Sequence, residues 1–396
     1  MKMSTLMVLT TKRGFPPDLR VEKETKALLS RGYRVYLVSG GPGKLPEFQV
    51  VDGVNVYRTK LLWSRPLLLS IIVNHLILFP QVIGKVVEHR TPVIHVHDLQ
   101  YALIVAIIGR IFRRKVIYDA HEDYTGMTRG YLERNGVLKK TYFRAFLAYY
   151  ILSETLVCRL SSRIAVVVQE NRNRLIGLKV PADKIVVVSN TPDVNALKRL
   201  TVSSQRVAKK IVISYVGGFS YLRGLDILVE ALPSIMRKYP ETLLVLVGNG
   251  GDYFANLVSL SKKLEVEKKV TFTGWVSFDK AMEYIQKSDI GVIPHRSGPH
   301  TNSTVPHKLF QYMFYRKPVI VSDVKPLKRI VTETGCGLVF HAGDNEDLAE
   351  KILELIEDAS KQSEMGEKGR SAVETKYNWD VEQKELLSMY EKLVSS

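Results

Sequence analysis

The sequence predicts an α/β protein made of two facing, Rossmann-like, doubly wound domains with parallel sheets. Its 396 residues exceed what one hydrophobic core usually serves. Apolar, β-branched runs alternate with helical stretches along the whole chain. These runs are almost continuously apolar, which is expected of strands covered by helices on both faces of a sheet.

The individual elements follow this alternation. Five runs predict strands in the first half: TLMVLT, YRVYLVSG, VIHVHD, KVIYDAHE and RIAVVVQE. Six runs predict strands in the second half: IVISYVGG, LLVLVG, VTFTGW, DIGVIP, PVIVSD and CGLVF. Between them lie helical segments such as LRVEKETKALLSRG, which ends in the glycine typical of helix C-termini. Polar residues within 190–209 interrupt the pattern, so we predict one domain over 1–199 and a second from residue 200.

Composition favours a reducing, cytoplasmic location. Cys158 and Cys336 lie far apart in apolar contexts, which argues against a disulfide scaffold. The N-terminal segment MKMSTLMVLTTKRG has too short an apolar core for a signal peptide and predicts the first strand.

Positive charge is concentrated in the first half. Residues 1–199 contain 31 Lys and Arg against 15 Asp and Glu, whereas residues 200–396 contain 26 against 25. Solubility needs no such asymmetry, but an anionic membrane surface, a nucleic acid or an anionic substrate would explain it. We expect an anionic membrane and no nucleic acid, because no nucleic-acid motif is present and the basic residues alternate with large apolar ones.

Two apolar segments bear on membrane contact. Residues 66–84 are uncharged and just long enough to cross a bilayer, but Asn74, His75 and Pro80 lie within them. We therefore predict a buried or half-buried helix there. The segment VLKKTYFRAFLAYYILSETLVCRL is a better candidate for surface contact, with a core helix bearing a basic edge as an equal alternative. Its basic and aromatic residues are Lys139, Lys140, Arg144, Tyr142, Phe143, Phe146, Tyr149 and Tyr150.

Ligands bind doubly wound domains at the carboxyl ends of the strands. After the first strand, Gly14 permits a phosphate-cradling loop or a simple turn. At the end of HVHD, His95 and His97 share one strand face as a metal pair could, but no second cluster with ligand spacing follows, so we expect no metal. Asp98 can orient or deprotonate an acceptor hydroxyl, or simply cap the next helix.

The next strand ends in YDAHEDY and supplies His121 and Glu122. A histidine at this position can donate to a sugar hydroxyl or to a leaving phosphate, or it can be purely structural. We favour the functional role, because the side chain follows a strand end where ligands bind.

Two segments of the second half predict anion sites. In YVGGFSYLRGLDIL, Gly217 and Gly218 end a strand and Arg223 precedes a helix, which combines backbone N–H groups, a helix dipole and a guanidinium. In residues 297–308, a polar loop leads into a helix with Pro306 in its first turn and Lys308 beside it. Two such sites suit a diphosphate.

With these residues in place, the chain resembles the glycosyltransferase family 4 group, sugar-nucleotide-dependent enzymes of the GT-B fold. The resemblance rests on YVGGFSYLRGLDILVEAL, PHKLFQYMFYRKPVIVSD, HVHD, YDAHE and the closing YNWDVEQKELLSMYEKL. It implies a second domain over 200–380 that binds the nucleotide sugar, and a terminal helix over 381–396 that returns to the first domain. It also implies a retaining reaction without a protein-bound metal or cofactor. The co-substrate would be a nucleoside-diphosphate sugar, with UDP or GDP expected.

The resemblance assigns catalytic roles to Asp98, which would position the acceptor, and His121, which would position the sugar. Arg223 and Lys308 would stabilise the leaving diphosphate. The predicted nucleotide site consists of Gly14, Gly217, Gly218, Arg223, Gly248, Trp275, Ser303, Thr304, Lys308 and Gln311. The chain departs from the family where it carries Gly218 instead of a frequent arginine, and Ser303 and Gln311 instead of two glutamates.

The expected function is transfer of a sugar to a lipid-linked or saccharide acceptor at the inner face of the membrane. Three alternatives remain open. A sugar-nucleotide epimerase of similar fold would turn over without an acceptor. A partner subunit that kept the fold without activity would bind no nucleotide. A metal hydrolase built on HVHD would contain metal.

Overall fold

The computed structural model of the protein describes residues 3–10, 14–41, 45–62, 67–134, 137–200 and 210–395. The chain forms two compact units. One consists of residues 1–189 together with 382–396, and the other of residues 190–381. The predicted boundary at 199/200 therefore lies later along the chain than the division in the structure.

In the described part of the first unit, eight strands form one sheet in the order β3-β4-β2-β1-β5-β6-β7-β8. The strands are β1 (Ser4–Thr10), β2 (Arg34–Gly41), β3 (Phe48–Val51), β4 (Val54–Lys60), β5 (Val93–His97), β6 (Lys115–Ala120), β7 (Arg163–Val166) and β8 (Ile185–Val187). Neighbours are parallel except for β3 and β4, an antiparallel hairpin at the edge. This hairpin was not predicted, although Asp52-Gly53 between apolar runs is a strong hairpin signal and both residues have positive φ.

Helices connect these strands: α1 (Leu19–Ser30), α2 (Leu67–His89), α3 (Leu99–Ile111), α4 (Tyr124–Arg134), α5 (Val137–Leu160) and α6 (Gln169–Gly177). Among the described residues, α2 alone is long and apolar enough to cross a membrane, and 33% of its apolar window is buried. This agrees with a half-buried helix. For α5, the side chains of Lys139, Lys140 and Tyr142 lie outside the described part. Phe146 and Tyr150 are buried in the core and Arg144 is exposed.

The second unit contains a six-stranded parallel sheet in the order β11-β10-β9-β12-β13-β14 over its described residues. The strands are β9 (Ile211–Val216), β10 (Thr242–Val247), β11 (Val270–Phe272), β12 (Ile290–Ile293), β13 (Val319–Ser322) and β14 (Gly337–Phe340). All six correspond to predicted runs.

The remaining helices are α7 (Val194–Arg199), α8 (Leu225–Lys238), α9 (Gly251–Lys263), α10 (Phe278–Lys287), α11 (His307–Phe314), α12 (Lys325–Thr334), α13 (Asn345–Glu357), α14 (Ala359–Thr375) and α15 (Trp379–Ser395). Most of α15, from Glu382 onward, belongs to the first unit. Its Tyr390 is fully buried there and lies 3.4 Å from the Thr5 hydroxyl on β1.

Candidate functional site

A buried polar cluster in the first unit is centred on the carboxyl ends of β5 and β6. Its side chains come from three elements: His95, His97 and Asp98 from the end of β5, Asp119 and His121 from the end of β6, and Arg20 and Glu24 from α1. Helix α1 starts at this edge because Asp18 caps it, accepting from the N–H groups of Arg20 and Val21. The i,i+4 spacing then places Arg20 and Glu24 on the same face of the helix.

Arg20 and Asp119 form the central ion pair of this cluster. Arg20 Nε lies 2.7 Å from Asp119 Oδ2 and Nη2 lies 3.1 Å from Oδ1, a bidentate arrangement. Arg20 Nε is also 3.1 Å from Glu24 Oε1, and Nη1 donates to the carbonyl of Val188. Burial opposes ionisation of Asp119, but Arg20 and the neighbouring histidines hold its pKa well below the ordinary value. Burial raises the pKa of Glu24 to about 7.

The two histidines of β5 lie inside the cluster with stacked rings, 4.5 Å between centroids. His95 Nδ1 shares a 2.9 Å hydrogen bond with the Tyr390 hydroxyl from α15. Burial lowers the pKa of His95 far below its ordinary value, so the ring is neutral. His97 Nδ1 lies 3.2 Å from Asp119 Oδ2 and its Nε2 lies 3.6 Å from Glu24 Oε2. Both rings therefore support the carboxylates rather than face solvent.

His121 and Asp98 form the part of the cluster that solvent reaches, with side chains 18% and 13% exposed. His121 Nε2 lies 3.2 Å from Asp98 Oδ1, and its Nδ1 lies 3.6 Å from Asp119 Oδ1. Burial alone would lower the pKa of His121, but the two carboxylates raise it to about 10. Burial raises the pKa of Asp98. The pair therefore presents an imidazolium N–H donor beside a carboxylate acceptor.

Asp98 does not act as a helix cap, the alternative role predicted for it. It precedes α3, but its side chain makes no capping hydrogen bond, and its backbone has φ 67°. A non-glycine residue rarely adopts that conformation. The backbone here turns the carboxylate toward His121 instead.

Four of these side chains, Glu24, His95, His97 and Asp119, bring possible ligand atoms within 4.8 Å of one another. The sequence could not reveal this group, because Glu24 and Asp119 come from separate segments. Arg20, however, already pairs with both carboxylates. A divalent cation at the same point would meet an adjacent guanidinium, so the residues fit an ion-pair network better than a metal site.

The second group of functional residues surrounds the glycine-rich turn after β9. The Tyr215 hydroxyl donates to the Gly218 carbonyl, which fixes the turn. Gly217 has φ 130°, and a Cβ there would lie 2.7 Å from Lys308 Nζ. Gly248 ends β10 with φ 140°, and a Cβ would collide with the Gly217 carbonyl oxygen at 2.0 Å. Glycine at both positions is what lets the two strand ends and Lys308 approach one another.

Three basic side chains converge on this turn. Lys308, in the first turn of α11, is buried, with Nζ 3.3 Å from the centroid of the Tyr215 ring. Arg223 Nη1 lies 3.3 Å from His295 Nε2 at the exit of β12. Burial, and then the charge of Arg223, lower the pKa of Lys308 far below its ordinary value. Burial and the same guanidinium lower the pKa of His295.

In the part of the chain that the structure describes, neither Arg223 nor Lys308 forms an ion pair with a carboxylate. The nearby Asp226 instead pairs with Arg296 Nη2 at 2.5 Å and accepts from the Tyr253 hydroxyl. A buried amine and a half-buried guanidinium, with no carboxylate partner among the described residues and beside the N-terminus of α11, form a site for an anion.

The other predicted nucleotide residues occupy varied positions. Gln311 is buried one turn after Lys308 on α11. Ser303 is buried and donates to the Pro299 carbonyl, and Thr304 is half-buried in extended backbone before the helix. Trp275 is 59% exposed, and a Cβ on Gly218 would lie 3.7 Å from its ring.

Gly14, also predicted for the nucleotide site, belongs to the first unit. It has φ 77° and lies against Gly40 and Gly41. It lines a surface cavity of about 230 Å³ with Arg58 and Lys60. Its close approach is thus to β2.

Sequence reasoning missed several residues of the two groups. Arg20 and Glu24 lie in a segment that was predicted only to be helical. Their opposite charges at i,i+4 spacing were visible in the sequence, but the sequence does not show that this face of α1 is buried. Asp119 lies within the segment YDAHEDY, and His295 directly follows the predicted strand DIGVIP, but neither residue was assigned a role. Tyr390 could not be placed, because the sequence does not show where α15 packs.

Comparison with known proteins agrees with this arrangement. Residues 20–196 match the family described as Glycosyltransferase Family 4, and residues 199–372 match Glycosyl transferases group 1. The chain is a family 4-like glycosyltransferase. Over 92% of its length, and 91% of the relative's, this glycosyltransferase is 25% identical to an uncharacterized glycosyltransferase of Methanocaldococcus jannaschii.

A second relative covers less of the chain. It is the GDP-mannose-dependent alpha-(1-6)-phosphatidylinositol monomannoside mannosyltransferase of Mycobacterium tuberculosis. It is 30% identical over 40% of this glycosyltransferase and 41% of its own length.

Solved structures confirm the GT-B fold. Sucrose-phosphate synthase from Thermosynechococcus elongatus superposes with a TM-score of 0.80 at 16% identity, over 99% of both chains. HepE of Anabaena, in complex with UDP-glucose, gives a TM-score of 0.71 at 18% identity, over 99% of this glycosyltransferase and all of HepE.

Proposed function

We propose that this glycosyltransferase moves a sugar from a nucleoside-diphosphate sugar, with UDP or GDP as the nucleotide, to an acceptor held at an anionic membrane. The acceptor would be a lipid-linked or other saccharide, and the enzyme would act from the cytoplasmic side as a peripheral membrane protein. The observation that carries the donor class is the set of unpaired basic groups beside the Gly217–Gly218 turn. The GDP-mannose-dependent mannosyltransferase and the UDP-glucose complex of HepE described above support the same class.

The chemistry explains why such a set is useful. Breaking the bond between the anomeric carbon and the diphosphate oxygen leaves negative charge on the departing nucleotide. Preorganised cations and N–H groups aimed at that charge are the main catalytic device, and loss of one typically costs about 10²–10³ in rate. We assign this role to Arg223, Lys308 and the backbone N–H groups before α11.

Asp98 and His121 suit the acceptor and the transferred sugar. Because His121 carries a proton, it does not serve as the base. Its Nε2–H, which lies 3.2 Å from Asp98 Oδ1, would be shared between that carboxylate and a sugar hydroxyl. Asp98, a carboxylate 3.2 Å away, accepts from an acceptor hydroxyl that is losing its proton. We further propose that the anomeric configuration is retained, which analysis of the product anomer by nuclear magnetic resonance would test.

Calorimetric titration with UDP, GDP, ADP and CMP tests the donor class. We expect selective binding of one nucleoside diphosphate, lost in Arg223→Ala and kept in Arg237→Ala, which removes an exposed arginine of the same domain. Absence of binding to any nucleotide would contradict the proposal and favour a non-enzymatic partner. Turnover of a nucleotide sugar without an acceptor would favour an epimerase.

A further inference from the structure

The outer face of α2 is apolar along almost its whole length. We use this name for the exposed apolar residues Leu69, Ile72, Leu76, Pro80, Gly84 and Val87; the exposed Gln81 and Glu88 lie beside its C-terminal part. Leu76 is 71% exposed, and Leu69, Ile72 and Val87 are each more than half exposed. At 1.5 Å per residue, the stripe is about 27 Å long.

This face reverses the usual pattern of a surface helix, in which charged residues face water. No Lys, Arg, Asp or Glu occurs between Leu69 and Gly84. The opposite side of the helix packs into the domain core through Ile71, Leu78 and Val82. The helix is therefore anchored in the domain and cannot also span a bilayer. Continuous exposed apolar surface of this kind marks a contact site.

The surroundings of α2 indicate which partner covers it. Helix α3 packs against both α2 and α5, so the three helices form one layer. On this layer Ile111 and Leu152 are 63% and 59% exposed, and Arg110 and Arg144 are exposed as well. Exposed apolar side chains mixed with arginine, in a half of the chain with 31 basic against 15 acidic residues, suit an anionic lipid surface.

The same helix is tied to the catalytic strand end. Asn74 Nδ2 donates to the Tyr101 hydroxyl at 2.9 Å. Tyr101 lies in the first turn of α3, three residues after Asp98. His75 Nε2 lies 3.4 Å from the Tyr149 hydroxyl, which donates to the Gln100 carbonyl. Asn74 and His75 lie between Ile72 and Leu76 of the outer face. These hydrogen bonds thus link this part of α2 to the start of α3, the helix that follows Asp98.

We propose that the outer face of α2 seats the N-terminal domain on an anionic bilayer, with the helix lying in the plane of the interface. This contact presents Asp98 and His121 to acceptors whose headgroups project from that bilayer. The inference rests on the proposed function for the acceptor, and it replaces α5 by α2 as the main contact element. An acceptor with a lipid anchor is therefore preferred over a free saccharide.

Sedimentation with vesicles tests the surface. The full-length protein is incubated with vesicles of phosphatidylcholine and phosphatidylserine, and separately with phosphatidylcholine alone. We expect binding to the anionic vesicles, weakened about tenfold or more by Ile72→Glu or Leu76→Glu, because each change replaces an apolar side chain that would enter the bilayer with a negative charge. Val50→Glu is the matched control, since Val50 is 56% exposed on an edge strand of the same domain.

Several outcomes would overturn the inference: no sedimentation of the unmodified protein, equal sedimentation of Leu76→Glu, or a dimer without vesicles that Leu76→Glu converts to a monomer. Calorimetry of the same variants separates this inference from the proposed function. A protein that binds a nucleoside diphosphate but not vesicles contradicts the membrane surface alone. One that binds vesicles but no nucleotide contradicts the donor proposal alone.

Discussion

The two groups of functional residues treat charge in opposite ways. In the first domain, Arg20, Asp119, Glu24, His97 and His121 neutralise one another within a buried network. In the second domain, the described structure gives Arg223 and Lys308 no carboxylate partner, and Lys308 is buried against an aromatic ring. The first group thus pairs its own charges, whereas the second presents basic groups with which an anion can pair.

This difference indicates that the first group positions side chains, whereas the second group binds a charged ligand. A network that satisfies its own charges holds His121 and Asp98 in fixed positions and gains little from an anionic ligand. An uncompensated cationic site gains much, because the ligand supplies the missing counter-charge. Under the proposed function, the second domain would therefore bind the diphosphate of the donor, and the first domain would bind the hydroxyls of the sugar and the acceptor.

The largest expected effect comes from breaking the first network. Arg20→Met leaves the buried Asp119 and Glu24 carboxylates without their guanidinium, and removal of one partner of a buried pair costs about 3–5 kcal/mol. We expect the free energy of unfolding, measured with urea, to fall by that order. Arg144→Met, at an exposed position, should change it little. A small loss in Arg20→Met would show that the network contributes no net stability.

Removing a basic side chain from the second group should lower the enzymatic activity without lowering the stability. Lys308→Met keeps a side chain of similar length and removes a buried amine that has no counter-ion. We expect nucleotide-sugar turnover to fall about 10²–10³, with the free energy of unfolding of the ligand-free protein unchanged or higher.

Lys325→Met, at an exposed lysine of the same domain, is the control and should behave like the unmodified protein. Strong destabilisation by Lys308→Met would mean that this lysine holds the fold together. That result would place it with the first network instead of the anion site.

A smaller change, the addition of one methyl group, tests the geometry of the anion site. Gly217→Ala strains a residue at φ 130° and brings a Cβ within 2.7 Å of Lys308 Nζ. Because Lys308 must move, we expect nucleoside-diphosphate affinity to fall about tenfold, a loss of roughly 1.4 kcal/mol. Gly343→Ala is the control. Gly343 also has a positive φ, but no atom would lie within 4 Å of its added Cβ, so this variant introduces backbone strain without displacing the lysine. Equal affinity losses in both variants would contradict the role of Lys308.

The last expected effect is a pH dependence of stability in the first group. His121 has its pKa raised to about 10, so the folded state binds its proton more tightly than the unfolded state does. Its contribution is full below the ordinary histidine pKa and is lost as pH rises through about 10. The stability difference between the unmodified protein and His121→Gln should therefore shrink between pH 6 and pH 10.5. His341→Gln, at a histidine side chain that is 82% exposed, is the control.

Much of this account was visible in the sequence, for physical reasons. Strands buried on both faces must be apolar, so all the predicted strands were found. The edge hairpin β3–β4 was missed because β3 is exposed along most of its length and lacks the pattern of a buried strand. The short β8 was not predicted either. Asp98, His121, Arg223 and Lys308 were predicted because they follow strand ends or begin helices. Their partners Arg20, Glu24 and Tyr390 were not, because pairing depends on which faces of α1 and α15 turn toward the sheet. The exposed face of α2 was not predicted, because a long uncharged apolar segment is expected to be largely buried.

The central claim is that the second domain's uncompensated basic site receives the donor diphosphate. Calorimetric titration of the best-binding nucleoside diphosphate in Tris and in HEPES buffers measures protons taken up on binding. Because burial lowers the pKa of Lys308 in the free protein, a bound anion should restore its charge, and we predict proton uptake that Lys308→Met reduces and Lys325→Met does not. Binding without proton uptake, or uptake unchanged in Lys308→Met, would contradict the account.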